Sequence, residues 1–362
     1  MYRTKRPTNK QLSDFYDAYS PRIQELMTQL ANGVLTIPLT LGRGTTAVHL
    51  MLKVQQNSAT WQFLTKYAQE ANLRKLLCGG WQEHIVIIRE VERSLPGLAW
   101  QEGMTKGEYD AGHYAIYGTD ADGKEIVEDF NEILRWLFVD QLYDGDKNGV
   151  HLDKTAFVRE RELMVCPYCG RAYIDMAEVD GSVSKPNIDH FLPKSKYPFL
   201  AMSYMNLIPA CNTCNEAANK GTLDPLTYPD YDMLLMNPHE FRENVVTFSY
   251  SYNHQGENYK KNFSVESVAE TDNFEQGYLK VLKLREFYSH QLLEVKDMYR
   301  NFTKVTNSMK KFLIKLGVKK PFLDNIEHRT LGYSLNDEEA PKRLMYKFKK
   351  DIFGKLKEDY GI

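Results

Sequence analysis

Very little in this chain is in excess. Its 46 lysines and arginines stand against 48 aspartates and glutamates, a formal net charge of -2. No general coat of positive charge is therefore on offer to a polyanion, and any nucleic-acid contact must rest on a local patch. No apolar run approaches the roughly 18 residues that a membrane helix needs. The polar, basic start from Met1 to Lys10 has no apolar stretch behind it and does not read as a signal peptide, so the expected location is the cytoplasm, with no membrane partner. Repeats and low-complexity tracts are also lacking. With 43% hydrophobic and 26% charged residues, wholesale disorder is excluded, and 362 residues suggest two or three domains.

Cysteine is scarce too, and here scarcity is informative. There are five, Cys78, Cys166, Cys169, Cys211 and Cys214, and the last four form two C-x-x-C pairs. In a reducing compartment such pairs point to metal or redox chemistry before disulfides. Cys78 stands alone and reads as a small buried apolar residue. Four thiolates suit tetrahedral Zn²⁺ with every position filled, which makes the expected zinc structural. The pairs are separated by residues 170–210, far more than the usual 15–20 for such sites. A sizeable insert is thus clamped at its base.

The flanks read differently from this middle. Up to about residue 158 the pattern is mostly helical. Gln11 to Leu30, with a break or kink expected at Pro21, Thr60 to Leu77, Ile85 to Leu95 and Val127 to Leu142 all carry apolar residues at helical spacing. Gly79-Gly80 and a turn-rich stretch from Gly118 to Gly123 separate them. Val245 to Tyr252 and Asn262 to Val268 read as strands, Phe274 to Leu316 as two helices, and Arg343 to Leu356 as a basic amphipathic segment. Residues 101–150 carry a balance of -8 and residues 280–362 a balance of +8. Both blocks read as solvated helix faces or, equally, as a partner surface and a phosphate-gripping domain.

The insert reads Asn187-Ile188-Asp189-His190-Phe191-Leu192-Pro193-Lys194-Ser195-Lys196, then Asn206-Leu207-Ile208-Pro209, and closes with Cys211-Asn212-Thr213-Cys214-Asn215 and Asn219-Lys220-Gly221. Residues of about 160–240 resemble the HNH endonucleases, also called ββα-metal or His-Me-finger nucleases, of the bacterial-defence type. The shared pattern is Asp-His at the end of a strand, Pro and basic residues in a loop, Asn-Leu after it, then C-x-x-C-Asn with a Lys beyond.

Phosphodiester hydrolysis needs an activated water, a cation for the developing charge and a held leaving group. His190 suits the general base, because a neutral imidazole is available near pH 7. Asp189, its neighbour on a strand, points to the other face. The resemblance implies that Asp189 and Asn215 each give one oxygen to a divalent ion, and two such ligands plus waters suit Mg²⁺ or Mn²⁺. It implies that Asn206 holds the loop without touching metal or water, and that the products carry a 5′-phosphate and a 3′-hydroxyl. The family often has Lys three residues after the final Asn or His. Here that position is Ala218 and the lysine is Lys220, so a register with Asn219 as the ligand stays open. Lys194, Lys196 and Lys220 are candidate phosphate contacts or, individually, plain surface charges.

Weaker signals remain. Asp144-Gly-Asp146-Lys-Asn148-Gly149 matches half an EF-hand loop, but the twelfth position is Thr155 where a Glu is needed, so it reads as a turn. Leu41-Gly-Arg-Gly-Thr-Thr lacks the lysine of a P-loop. His49, His84, His113, His151, His254, His290 and His328 have no ligand-like neighbours, while His239 follows Asn237-Pro238 downstream of the motif.

The expected fold class is α+β, mostly helical. A helical N-terminal domain over 1–158, serving a partner or regulation, precedes a zinc-stapled ββα nuclease core over 159–260 and a helical, basic C-terminal domain over 261–362. The expected function is metal-dependent endonuclease cleavage of DNA, with RNA left open, in anti-phage defence. An ATPase or sensor protein is the expected partner, and a homodimer the expected route to double-strand cuts. The alternative is a zinc-containing nucleic-acid-binding module without activity. A thiol redox protein fits less well, since no βαβ pattern surrounds either cysteine pair.

Overall fold

The computed structural model describes residues 1–95, 104–145, 149–227, 232–252, 263–316 and 326–361, with 307–316 described by backbone alone. The chain opens with α1 (Asn9–Ala31), capped by a reciprocal Thr8–Gln11 box. Its apolar stripe buries Phe15, Tyr16, Ile23, Leu26, Met27 and Leu30. The break expected at Pro21 is absent. Pro21 and Asp17 both lie on the exposed face, so the carbonyl that loses its donor is left to water.

The N-terminal part, read as mostly helical, also carries a small sheet that its sequence did not announce. Strands β1 (Ile37–Leu41) and β2 (Val48–Leu52) are followed by α2 (Ala59–Tyr67), α3 (Glu70–Cys78), α4 (Trp81–Ser94) and α5 (Lys106–Asp110), then β3 (Ile116–Thr119) and β4 (Glu125–Val127). The strands join in the order β1-β2-β4-β3, with β2 and β4 parallel. Runs of three to five residues paired across some 75 positions leave almost no periodic trace. The stretch Thr60 to Leu77 is two helices rather than one, because Gln69 takes an extended conformation between them. The glycine-rich segment before β4 is a turn in which Asp120 accepts from the N–H groups of Asp122 and Lys124.

Asp129 caps α6 (Phe130–Arg135), which continues as a π-helical stretch (Trp136–Tyr143). After α7 (Lys154–Arg161) come the hairpin β5 (Ala177–Val179) and β6 (Ser182–Ser184), the antiparallel pair β7 (Asn187–His190) and β8 (Leu207–Ala210), and the short α8 (Asn212–Asn215). The C-terminal part pairs β9 (Val246–Tyr252) with β10 (Phe263–Ala269); Asn262 lies outside the described residues. It then runs through α9 (Asp272–Phe274), a π-helical stretch (Glu275–Val281), α10 (Leu284–Ser289), α11 (Leu292–Leu316), α12 (Ile326–Leu331) and α13 (Tyr346–Tyr360). About half of the described residues are helical and the sheets are small, an α+β architecture. No helix among them is long and apolar enough to cross a membrane.

One buried cluster runs through all three segments of the chain. Its centre is the connection between β7 and β8, where Tyr197, Phe199, Leu200 and Tyr204 are all 0% exposed. Loops usually run over the surface. This one is roofed by N-terminal rings: Phe15 on Tyr204 at 5.2 Å, Phe63 on Phe199 at 5.7 Å and Trp81 on Phe191 at 5.5 Å between centroids. From the other side the C-terminal segment seats on the first cysteine pair. The Tyr288 hydroxyl donates to the Cys169 carbonyl at 2.7 Å, and the Met345 N–H to that of Gly170 at 2.6 Å.

Candidate functional site

The two cysteine pairs meet at the base of the β7–β8 hairpin. Cys166, Cys169, Cys211 and Cys214 are buried, and their sulfurs all lie within 4.8 Å of one another. The Cys169–Cys211 separation is 3.9 Å, close to the edge of a zinc–thiolate tetrahedron. Gly170 turns the first pair, with φ at +66° and its N–H bonded to the Cys166 carbonyl; a Cβ there would stand 2.2 Å from the Met1 nitrogen. The Arg171 N–H donates to the Cys169 sulfur at 3.4 Å. Hydrogen bonding from Cys166 and its neighbours holds the Cys169 thiol well below its usual range. Four buried sulfurs in this arrangement can hold a zinc ion, and they leave no position for a substrate.

Both cysteine segments then reach the same carboxylate. Tyr168, inside the first pair, donates its hydroxyl to Asp189 Oδ2 at 2.5 Å. Lys220, whose N–H bonds the Cys214 carbonyl, places its ammonium 3.0 Å from Asp189 Oδ1 and 2.9 Å from Oδ2. The same ammonium meets the His190 carbonyl at 2.9 Å. Asp189 is 2% exposed and Lys220 1%. Lys220, expected to contact phosphate, is instead sealed inside as the counter-ion of Asp189. A charge this deep is tolerated because each of its partners is charged or strongly polar.

His190 follows Asp189 on β7, and its ring faces the other way. Nε2 lies 3.1 Å from the Ala201 carbonyl, which can only accept, so the proton of the neutral ring sits on Nε2 and the Nδ1 lone pair is left open. Burial, with the Lys194 charge as a lesser cause, lowers its pKa to about 3. The Tyr143 ring packs edge-on against it at 4.4 Å, and the Tyr143 hydroxyl donates to the Ile188 carbonyl at 3.2 Å.

Asn206, 0% exposed, ties the connecting loop to itself. Its Oδ1 accepts from the Leu192 N–H at 2.7 Å, and its Nδ2 donates to the carbonyls of Leu192 and Leu200 at 3.1 and 3.0 Å. Asn215 is the last residue of the four-residue α8 and is half-buried. Asn219 turns its amide nitrogen back to the Thr213 carbonyl at 2.6 Å, with Oδ1 buried and unpartnered. Lys196 is paired with Asp224 at 2.6 Å, whereas Lys194 stands at the rim, 2.9 Å from Asp144.

Several of these partners left no sequence signal of their role. Tyr168 was given no role in the sequence reading, and Asp144, which Tyr143 precedes, opened a stretch that resembled half a calcium loop. Asp146, Lys147 and Asn148 of that stretch lie outside the described residues. His84, read as a plain core or surface residue, is buried against Ser203, Nε2 to Oγ at 2.7 Å, and so joins α4 to the loop behind His190. Cys78 is half-buried and its thiol, pushed up to about 11 by burial, donates to the Leu12 carbonyl.

Among known proteins, no family model matches the chain and no solved structure does. A stretch of 71 residues is 35% identical to the Septu protein PtuB of Bacillus thuringiensis, covering 18% of this chain and 24% of that relative. The chain is thus similar in part to a Septu protein and carries a buried four-cysteine cluster able to bind a metal.

Proposed function

We propose that the chain is an HNH-type endonuclease that hydrolyses phosphodiester bonds in DNA and serves bacterial defence against phage. The observation that carries this is His190. It sits at the end of a strand whose hairpin is stapled by four cysteines, with Nε2 committed to a carbonyl and Nδ1 free to take a proton from water. Asn206 fixes the loop that presents Ala201 to it. The partial similarity to a Septu protein supports the defence setting, in which an ATPase or sensor protein is the proposed partner and a dimer the proposed route to double-strand cuts.

The divalent ion needs separate treatment. Asp189 does not fit Mg²⁺ or Mn²⁺ as it stands, because Lys220 and Tyr168 occupy both carboxylate oxygens. Ion binding at Asp189 and Asn215 requires the Lys220 ammonium to move aside. That same pairing favours the second reading, a zinc-containing nucleic-acid-binding module with a silent site.

The test is supercoiled plasmid incubated with zinc-loaded protein in Mg²⁺ or Mn²⁺. EDTA-sensitive nicking whose ends DNA ligase reseals, as 5′-phosphate and 3′-hydroxyl termini require, is the expected result. No nicking by folded protein, alone or with a partner recovered from its host, moves the silent module to first place.

A further inference from the structure

Beside His190 the surface opens into a cleft of about 530 Å³ lined in part by Tyr143, Asp144, Lys154, Thr155 and Lys185. Asp144 holds two lysines at once. Its Oδ1 meets Lys154 Nζ at 2.5 Å and its Oδ2 meets Lys194 Nζ at 2.9 Å. Both ammonium groups also lie over the Tyr143 ring, 4.0 and 4.6 Å from its centroid, and the edge-on contact of that ring with His190 places them one ring away from the candidate base. Lys185 reaches across from the strand side to the Thr155 hydroxyl at 3.0 Å. Asp153 lines the cleft too, but its carboxylate is turned to the N–H groups of Thr155 and Ala156.

Two lysines thus converge on a single bridging carboxylate, and a third stands across the cleft from them. A phosphodiester offers the same pattern as Asp144, two anionic oxygens on one centre, and can replace it between Lys154 and Lys194. Half-exposed pairs of this kind are weak, so the exchange costs little. We propose that this cleft binds the sugar-phosphate backbone of duplex DNA next to the bond to be cut, with Asp144 keeping the lysines in place until phosphate arrives. The inference rests on the nuclease reading only for which phosphates the cleft meets. It makes residues of the N-terminal part, Tyr143 and Lys154, components of substrate binding.

The test is anisotropy of a fluorescein-labelled 20-base-pair duplex titrated with the full chain in EDTA, between 50 and 200 mM KCl, with thermal melts to show that each variant folds. The double variant Lys154→Gln/Lys185→Gln is expected to bind at least about tenfold more weakly at 100 mM salt. Its slope of log affinity against log salt should shrink by about 2, near 0.9 for each phosphate that a lysine no longer neutralises. Asp144→Asn, which frees two lysines, is expected to bind several-fold more tightly, an effect that a purely structural Asp144 would not give.

Wild-type affinity and slope in the double variant, or no salt-dependent binding by the wild type, overturns the proposal. The nuclease reading fails separately. If the wild type cuts nothing but the lysine variant loses binding, the cleft stands; if the wild type cuts while the lysine variant binds and cuts unchanged, the cleft falls alone.

Discussion

At the scale of single residues, the fate of Asp189 depends on two neighbours that come from the two cysteine segments. Lys220→Met removes the counter-ion and leaves a carboxylate at 2% exposure, so it should cost roughly 3–5 kcal/mol in urea unfolding. Adding Asp189→Asn should recover much of that loss, since the remaining buried group is then neutral. Equal instability of single and double variants would show that Lys220 acts by packing and not by charge. Asn206→Ala strands the Leu192 N–H and the carbonyls of Leu192 and Leu200, and about 2–4 kcal/mol should be lost. The four-cysteine cluster was legible in the sequence because its thiols come in two pairs at short, fixed offsets. Tyr168 and Lys220 were not, because what they touch is decided only when both cysteine pairs close on the hairpin.

Among elements, the β7–β8 hairpin is held by what lies at its base and not by its own ladder. It pairs four residues a side, and its connection is covered by helices from the N-terminal part. The four-cysteine site is therefore expected to bind one zinc ion per chain. Cys169→Ser should lose that zinc and loosen the hairpin, seen as zinc release to a chromogenic chelator and as new proteolysis within 187–210. A folded chain that carries no zinc would contradict this. Helix α1 and strands β9 and β10 could be traced from periodicity, whereas Phe274 to Leu316, read as two helices, divides into a π-helical stretch, α10 and α11 because Lys283 takes a left-handed conformation between the first two. The four-stranded sheet could not, because its central β2–β4 pairing is parallel and joins segments some 75 residues apart. Helix α1 continues through Pro21 without a break, since a proline on a water-facing turn frees a carbonyl that water can satisfy.

Across the whole molecule, buried histidines tie the ends of the chain to its middle. His84 joins α4 to Ser203, and the His239 ring lies between Thr4 and Arg161, accepting at Nε2 from the guanidinium. Burial lowers His84 to about 4 and His239 to about 2, against 6.5 for a free imidazole. Below pH 6.5 the unfolded chain takes up protons that the folded chain refuses, so stability is full above 6.5 and falls as pH drops through 6.5 toward 4. Each ring contributes about 1.4 kcal/mol per pH unit in that window. Melting temperatures measured from pH 7 to 4.5 should fall, and His84→Gln and His239→Gln should each flatten the slope; parallel slopes would contradict the account.

His190 is the proposed base of a nuclease. Its most direct test is the rate of supercoiled plasmid nicking in Mn²⁺ by wild type and His190→Ala, both zinc-loaded and with matching melts. A loss of roughly 10²–10⁴-fold is expected on removing a general base. Nicking by His190→Ala at the wild-type rate would contradict the account outright.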